Sequence, residues 1–336
     1  MGLTTIGDLS QHLVSVRHNS QLKERLNTLA QELATGRIAD LTTHLGGDQQ
    51  RYLDAGRHLD LLASRGRSLD ETANMLSVMQ TALGAVQDAG ATAGETLLTV
   101  SPQSGPTHRA TAAIEARTAF EGMVSALNTR LADHSVLAGA EPDKTPLPPA
   151  SDMLDAILAA ASGAVDADGV IAAVDDWFDT TSGGFMTTAY GGSMTTNLSR
   201  PMSEGTALEI EARADHPAIR GALKAAALGT IAEDAGLSLS DTERAGLLRH
   251  AGEALIAGAG NLVQLRASVG SAEARVEEAS ARLSARETAL EIARNDMSAA
   301  DPYETASNLQ EVQLQLETHY TLTARLSRLS LTEYLR

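Results

Sequence analysis

The sequence predicts a mainly α-helical protein, in which long antiparallel coiled-coil helical rods built from the N- and C-terminal regions flank a small inserted α+β domain. An apolar residue recurs at every seventh position from Leu248 to Met297 without an intervening proline, which is typical of helices that pack along a seam. Aromatic residues make up 3% of the 336 residues, against 43% hydrophobic, so the core must consist mainly of small aliphatic side chains. The proline-rich stretch "EPDKTPLPP" then marks a change of composition.

The N-terminal segment, residues 1–47, is interpreted as an assembly helix. Its apolar residues recur at spacings of three and four, which indicates an amphipathic helix, and Gly36 is a suitable stop. The register of these residues slips once. They are Ile6, Leu9, Leu13 and Val16 before the slip, and Leu22, Leu26, Leu29 and Leu33 after it.

Two further segments are predicted to form the rods. Residues 48–138 carry leucines seven apart, and we expect a helix that frays near "DAGATAG", a turn at "SPQSGP" and another helix that ends near Gly139. We expect that second helix to face inward through Ile114 among other residues. Residues 217–300 hold the seven-residue repeat, and Ser240 with Glu243 forms a capping box at its start.

Residues 139–216 are predicted to form the inserted acidic α+β domain. Between residues 141 and 215 there are 13 Asp or Glu against 3 Lys or Arg, a net charge of −10 out of −17 for the chain, so this region should face solvent. "MLDAILAAAS" and "VIAAVDDWF" are expected to be helices, whereas "FMTTAY" and "TALEIEARA" alternate like strands.

Residues 301–336 are interpreted as a separate C-terminal assembly helix. Asp301 is a suitable N-cap, Pro302 suits the first helical position, and Glu304 favours the first turn. Each terminal helix is amphipathic but has little core of its own, so each would be marginal in isolation. We therefore expect both to bury their apolar faces by assembly.

The sequence offers no candidate for catalysis, for a cofactor or for a metal. Its nine histidines show no pair at helical ligand spacing, and cysteine is absent. "SQLK" lies within an apolar helix face. "DADG" is interpreted as a helix-connecting turn, because Ala164 stands where a calcium loop has its first carboxylate and Asp175 where it has its closing Glu. The charge of −17 argues against nucleic acid as a partner. We further expect no membrane insertion and no cleaved signal peptide.

Both ends resemble the bacterial flagellin superfamily. "LKERLNTLAQELATGR" is similar to the family's opening helix and its glycine stop, and "DPYETASNLQEVQLQLETHYTLTARLSRLSLTEYLR" is similar to its closing helix. After the stop, "RIADLTTHLGGDQQRYL" departs from the usual flagellin run, and "LSLTEYL" at the end is closer to the hook-filament junction branch, hook-associated protein 3. The alternatives are a flagellin filament subunit and a secreted coiled-coil binding module.

The resemblance implies a structural, non-enzymatic protein that is exported by the flagellar type III apparatus and assembles outside the cell. The implied partners are copies of itself in a helical lattice, a neighbouring hook-associated protein, flagellin and an export chaperone. The subunit interface is predicted to contain Leu9, Leu13, Val16, Leu22, Leu26, Leu29, Leu33, Leu309, Val312, Leu316, Tyr320, Leu326, Leu329, Leu331, Tyr334 and Leu335.

Overall fold

A computed structural model describes the backbone of residues 6–203 and 205–334, and the side chains of Ser10 and of residues 13–202 and 205–325. The helices are α1 (Ile6–Thr35), α2 (Leu41–Leu45), α3 (Gln49–Leu98), α4 (Pro106–Leu127), α5 (Ala150–Ala161), α6 (Ala167–Asp179), α7 (Pro217–Ile231), α8 (Asp241–Ser298) and α9 (Pro302–Tyr334). The strands are β1 (Arg130–Leu131), β2 (His134–Ser135), β3 (Leu198–Ser203) and β4 (Thr206–Ile210). A 3-10 turn spans Gly46–Asp48, and a π-helical turn spans Phe185–Ala189.

The predicted fold class is confirmed, because long helices pack against one another and the strands of the described residues form two small antiparallel pairs. The chain divides into two compact units, each described separately below. The terminal unit comprises Met1–Ala63 with Ala285–Arg336, and the central unit comprises Ser64–Ser284. The division into five segments expected from the sequence stays a prediction.

In the central unit, α3 and α8 run antiparallel and bury the predicted seven-residue stripe. Because Gly90 lies beside Leu255 and Gly84 lies beside Arg266, residue numbers fall along one helix as they rise along the other. The buried members of the stripe are Leu248, Leu255, Leu262, Val269 and Val276.

A polar cluster of Arg266, Gln80 and Gln87 lies across this pair of helices. The guanidinium of Arg266 donates to the side-chain oxygens of Gln80 at 3.2 Å and Gln87 at 2.8 Å, and the Gln80 amide donates to the backbone carbonyl of Arg266 at 2.7 Å. The guanidinium packs over Gly84, where a Cβ would lie 3.7 Å from it, an ordinary van der Waals distance. A matched polar contact of this kind favours one register of the two helices over others.

Two expected helix ends are corrected by the structure. Helix α3 does not fray near "DAGATAG" but continues to Leu98, because Ala93 and Leu97 are fully buried and the glycines of this stretch admit neighbouring side chains. Helix α4 ends at Leu127 rather than near Gly139. The chain leaves it at Asn128, whose side-chain amide makes two hydrogen bonds of 2.9 Å with the backbone of Leu147.

The expectation that Ile114 faces inward is wrong. This side chain is 64% exposed, whereas Phe120, Val124 and Leu127 of the same helix are buried. Ile114 lies six residues before Phe120, which is about one and two-thirds turns, so the two side chains point in different directions.

The inserted segment is built on α4 and α7. Helices α5 and α6 and the β3–β4 hairpin share one continuous hydrophobic core with them. The Asp166 carboxylate caps α6 by accepting from the Gly169 backbone amide at 2.8 Å. "DADG" is therefore the N-cap and first turn of α6, and not the helix-connecting turn expected from the sequence. "TALEI" forms β4, which agrees with the sequence.

"FMTTAY" is not a strand, contrary to expectation. It forms the π-helical turn Phe185–Ala189, in which the Phe185 ring is buried. This ring stacks on Phe178 at 5.5 Å and on Tyr190 at 6.4 Å between centroids, and Trp177 packs edge-on at 6.1 Å. The aromatic cluster fixes the backbone here, because large rings dominate the energetics of a core that is otherwise aliphatic.

Candidate assembly surface

In the terminal unit, α1 and α9 pack antiparallel along a short apolar seam. Leu22, Leu29 and Val312 are buried in it. Leu26, Leu309 and Leu316 are partly buried and pack against them. The three residues on α1 follow spacings of four and three, and the three on α9 follow spacings of three and four, so each helix presents its three residues on one face.

A backbone joint closes one end of this pair. The Ala300 amide donates to the Gly36 carbonyl at 3.0 Å, and the Ile38 amide donates to the Ser298 carbonyl at 3.0 Å. Gly36 has a φ of +68°, the left-handed conformation that suits glycine after a helix end. Asp301 caps α9 as expected, since its carboxylate accepts from the next two non-proline amides at 2.8 and 3.1 Å.

Toward the other end, the seam becomes polar. The Ser15 hydroxyl lies 3.1 Å from the His319 Nε2 atom, and the Asn19 amide nitrogen lies 3.5 Å from its Nδ1 atom. The Lys23 ammonium lies 5.8 Å from the ring centroid of Tyr320, and its hydrogen bond to the hydroxyl lowers the pKa of that tyrosine. This half of α1 is therefore held to α9 by polar contacts that are at most partly buried, and such contacts contribute less than buried apolar ones.

The N-terminal half of α1 carries a second apolar stripe that faces away from α9. Leu13 is 62% exposed and Val16 is 54% exposed. Leu13 lies nine residues before Leu22, which is two and a half helical turns, so it lies on the opposite side of the helix from the seam. The register slip in the sequence is thus a change of helix face within one uninterrupted helix.

The predicted interface residues fall into four groups. Leu22, Leu29 and Val312 are buried within the chain, and Leu26, Leu309 and Leu316 are partly buried there. Leu13, Val16, Leu33 and Tyr320 are exposed. The side chains of Leu9, Leu326, Leu329, Leu331 and Tyr334, and the whole of Leu335, lie outside the described residues. A role for any of them between subunits stays a prediction.

Sequence reasoning did not nominate several exposed apolar residues of the terminal helices. They are Val14, Tyr303, Leu314 and Leu322. A search for one stripe per helix passes over residues that lie outside its period, which is why these were missed. Each would be found by asking which apolar residues of a terminal helix lie outside its main apolar face.

Replacing Leu22 with alanine should loosen the terminal pair, whereas the same change at Leu13 should not. Leu22 is buried in the seam and Leu13 is exposed, so we expect a loss of about 2–3 kcal/mol for Leu22→Ala and less than about 0.5 kcal/mol for Leu13→Ala. Amide exchange of residues 20–30 in the dilute chain measures both effects. Equal protection in the two variants would contradict the seam described here.

No helix among the described residues has the combination of length and apolar character needed to cross a membrane. Nor do three or more His, Asp or Glu side chains of the described residues come together in a group able to hold a metal ion.

Two comparisons with known proteins find a similarity, one to a family model and one to a solved structure. Residues 255–335 match the family model of the bacterial flagellin C-terminal helical region. No curated protein sequence matches the chain. The chain is also similar to a solved structure, described as that of a putative flagellar hook-associated protein from Vibrio parahaemolyticus. The alignment covers 75% of this chain and 99% of that one, with a TM-score of 0.51 and 12% sequence identity. The structural likeness shows a shared fold, and residues 255–335 are similar to the C-terminal helical region of bacterial flagellin.

Proposed function

We propose that this chain is a structural adaptor of the bacterial flagellum, which joins hook to filament and assembles head to tail through its terminal helices after type III export. The flagellin-type C-terminal region supports a flagellar structural role and self-association. The name of the similar solved structure, a flagellar hook-associated protein, supports the narrower role at the hook.

The observation on which the proposal rests is the second apolar stripe of α1. The exposed side chains of Leu13 and Val16 gain stability only if another surface covers them, at roughly 25 cal/mol for each Å² of apolar area removed from water. The seam with α9 occupies the other face of the same helix, so α9 does not cover this stripe, and the proposal is that another molecule does. A contact between two different faces of identical copies forms a ring if its rotation closes and an open helical array if it does not, and the proposed assembly is the open form.

The partners that follow from this proposal are copies of the chain, a neighbouring hook-associated protein on one side, flagellin on the other, and an export chaperone before assembly. The site of action is outside the cell. A filament subunit is the second candidate function, and the description of the matched family, which is that of flagellin, favours it.

Aspartates at Leu13 and Val16 should abolish assembly while leaving the chain folded. Two charges on the outward stripe would have to be desolvated in the contact, which costs several kcal/mol for each buried and unpaired ion. Sedimentation of the concentrated chain measures assembly, and circular dichroism checks the fold. We expect the Leu13→Asp, Val16→Asp variant to remain in the supernatant.

The matched control is the variant Thr28→Asp, Gln31→Asp. It places two charges with the same spacing on exposed positions of the same helix, and we expect it to assemble like the natural chain. If both variants assemble equally, the outward stripe is not a subunit contact, and the proposal loses its support.

The position of the protein on the flagellum separates the two candidate functions. Gold-labelled antibody against this chain should decorate one band between hook and filament if it is a junction protein. Decoration along the whole filament would show a filament subunit instead.

A further inference from the structure

The central unit has an open groove between α3 and α8 that the rest of the unit does not fill. Its volume is about 550 Å³, and Leu69 and Val276, both buried residues, line its floor. The small side chains of Ala73 and Ala281 keep it wide. An open groove with an apolar floor favours a partner that inserts an aliphatic side chain.

The rim of this groove is acidic. Asp70 on α3 and Glu273 and Glu277 on α8 line it, and no ion pair is found for them within the described residues. Glu273 and Glu277 are four residues apart on one helix, a spacing at which like charges repel. A cationic group in the groove would relieve this repulsion, so the rim selects for a basic partner.

A complementary feature lies elsewhere on the same unit. Ile114 on α4 is 64% exposed, and Arg117, which follows it by three residues on the same helix face, has an exposed side chain. Arg117 pairs with Glu121, one helical turn on, at 4.0 Å, and both side chains are more than half exposed. Such a pair contributes little, so the guanidinium is available to another partner.

The groove is too far from Ile114 and Arg117 for the two features to meet within one chain. Met123 of α4 packs beside Gly90 of α3, and Gly90 is 17 residues, or about 26 Å of helix, from Ala73. Because α4 reverses direction after α3, Ile114 lies farther from the groove than Met123 does. Only a second molecule can bring the two together.

We infer that Ile114 and Arg117 of one copy dock in the acidic groove of the next copy, with Ile114 on the apolar floor and Arg117 against the rim. The inference rests on the proposed function, because it adds a contact of the central unit to the assembly that the terminal helices begin. The two faces differ, so the contact is head to tail, as an open array requires.

Disulfide trapping tests the contact directly, because the natural chain has no cysteine. We expect the double variant Ile114→Cys, Ala73→Cys to form a ladder of covalent multimers when assembled chains are oxidised or treated with a short bis-maleimide. Each single variant should give no ladder beyond a dimer. Assembly of the double variant without any ladder, by either route, would overturn the inference and leave the proposed function intact.

Charge reversal provides the second test. Glu273→Lys, Glu277→Lys and, separately, Arg117→Glu should each raise the concentration needed for assembly about tenfold, whereas the combined triple variant should recover most of it. Glu95→Lys, on an exposed position of α3, is the control for charge alone. Unchanged assembly of both reversed variants would overturn the contact. Failure of the natural chain to assemble at all would overturn the proposed function and this inference with it.

Discussion

Replacing Gly252 with alanine should destabilise the central unit, although alanine is the better helix former. A Cβ at this position of α8 would lie 2.9 Å from the Leu97 Cβ, 3.1 Å from the Gly94 carbonyl oxygen and 3.1 Å from the Leu98 amide nitrogen. Two of these atoms belong to the α3 backbone and cannot rotate away, so the helices must separate. Overpacking of this kind costs about 1–3 kcal/mol, more than the roughly 1 kcal/mol that alanine gains over glycine within a helix.

Gly260 is the matched control on the same helix. Nothing lies within 4 Å of a Cβ there, so Gly260→Ala should stabilise the unit by up to about 1 kcal/mol. Urea unfolding followed by the fluorescence of Trp177, the one tryptophan of the chain, measures both changes. A gain of stability in both variants would show that α3 and α8 are not in close contact at Gly252.

Gly252 also shows what the sequence could and could not predict about the long helices. The seven-residue repeat from Leu248 onward predicted the buried stripe correctly, since period and burial have one physical cause. The glycines of "DAGATAG" were interpreted as a weak end of α3. They are instead places where neighbouring side chains pack closely on α3, since a Cβ at Gly90 would lie 3.3 Å from Met123 and one at Gly94 would lie 3.0 Å from Ile256. Sequence alone does not distinguish a glycine that frays a helix from one that admits a partner.

The inserted segment shows a different limit. The alternation in "FMTTAY" resembles a strand, but six residues cannot show that Phe185 will stack between Phe178 and Tyr190. Tertiary packing of rings decides the backbone there, and such contacts override local preference. Ile114 was placed inward for a related reason, since one exposed aliphatic residue does not disturb the periodicity of α4.

For the candidate assembly surface, the sequence identified the two terminal helices and the cap at Asp301. It could not tell which partner covers each apolar residue. Periodicity shows that Leu22 and Val312 need burial, and the structure shows that they bury one another within the chain. The outward stripe at Leu13 has the same spacing, and only its angle around α1 separates the two sets.

Replacing Arg109 with leucine should unfold the central unit at a lower urea concentration than most other single changes. Its side chain is 4% exposed and ties three elements together. It donates to the Glu233 carboxylate at 2.8 Å, to the Asp241 carboxylate at 2.7 Å and to the Ser104 carbonyl at 3.0 Å. The hydrogen bond with Glu233 outweighs the effect of burial and raises the pKa of the guanidinium, so Arg109 stays charged.

The expected loss is about 3 kcal/mol, at the lower end of the range for breaking a buried ion pair. The lower end applies because the Asp241 side chain is 77% exposed, so its ion pair with Arg109 contributes little to stability. The Glu233 side chain is only 19% exposed and would be left without a partner. Arg109→Leu combined with Glu233→Leu should therefore recover part of the loss, because the stranded carboxylate is removed as well. Arg249→Leu, which breaks an exposed pair with Glu253, should cost less than about 0.5 kcal/mol. Equal losses for Arg109→Leu and Arg249→Leu would mean that the buried guanidinium does not hold the α3–α4 turn to α7 and α8.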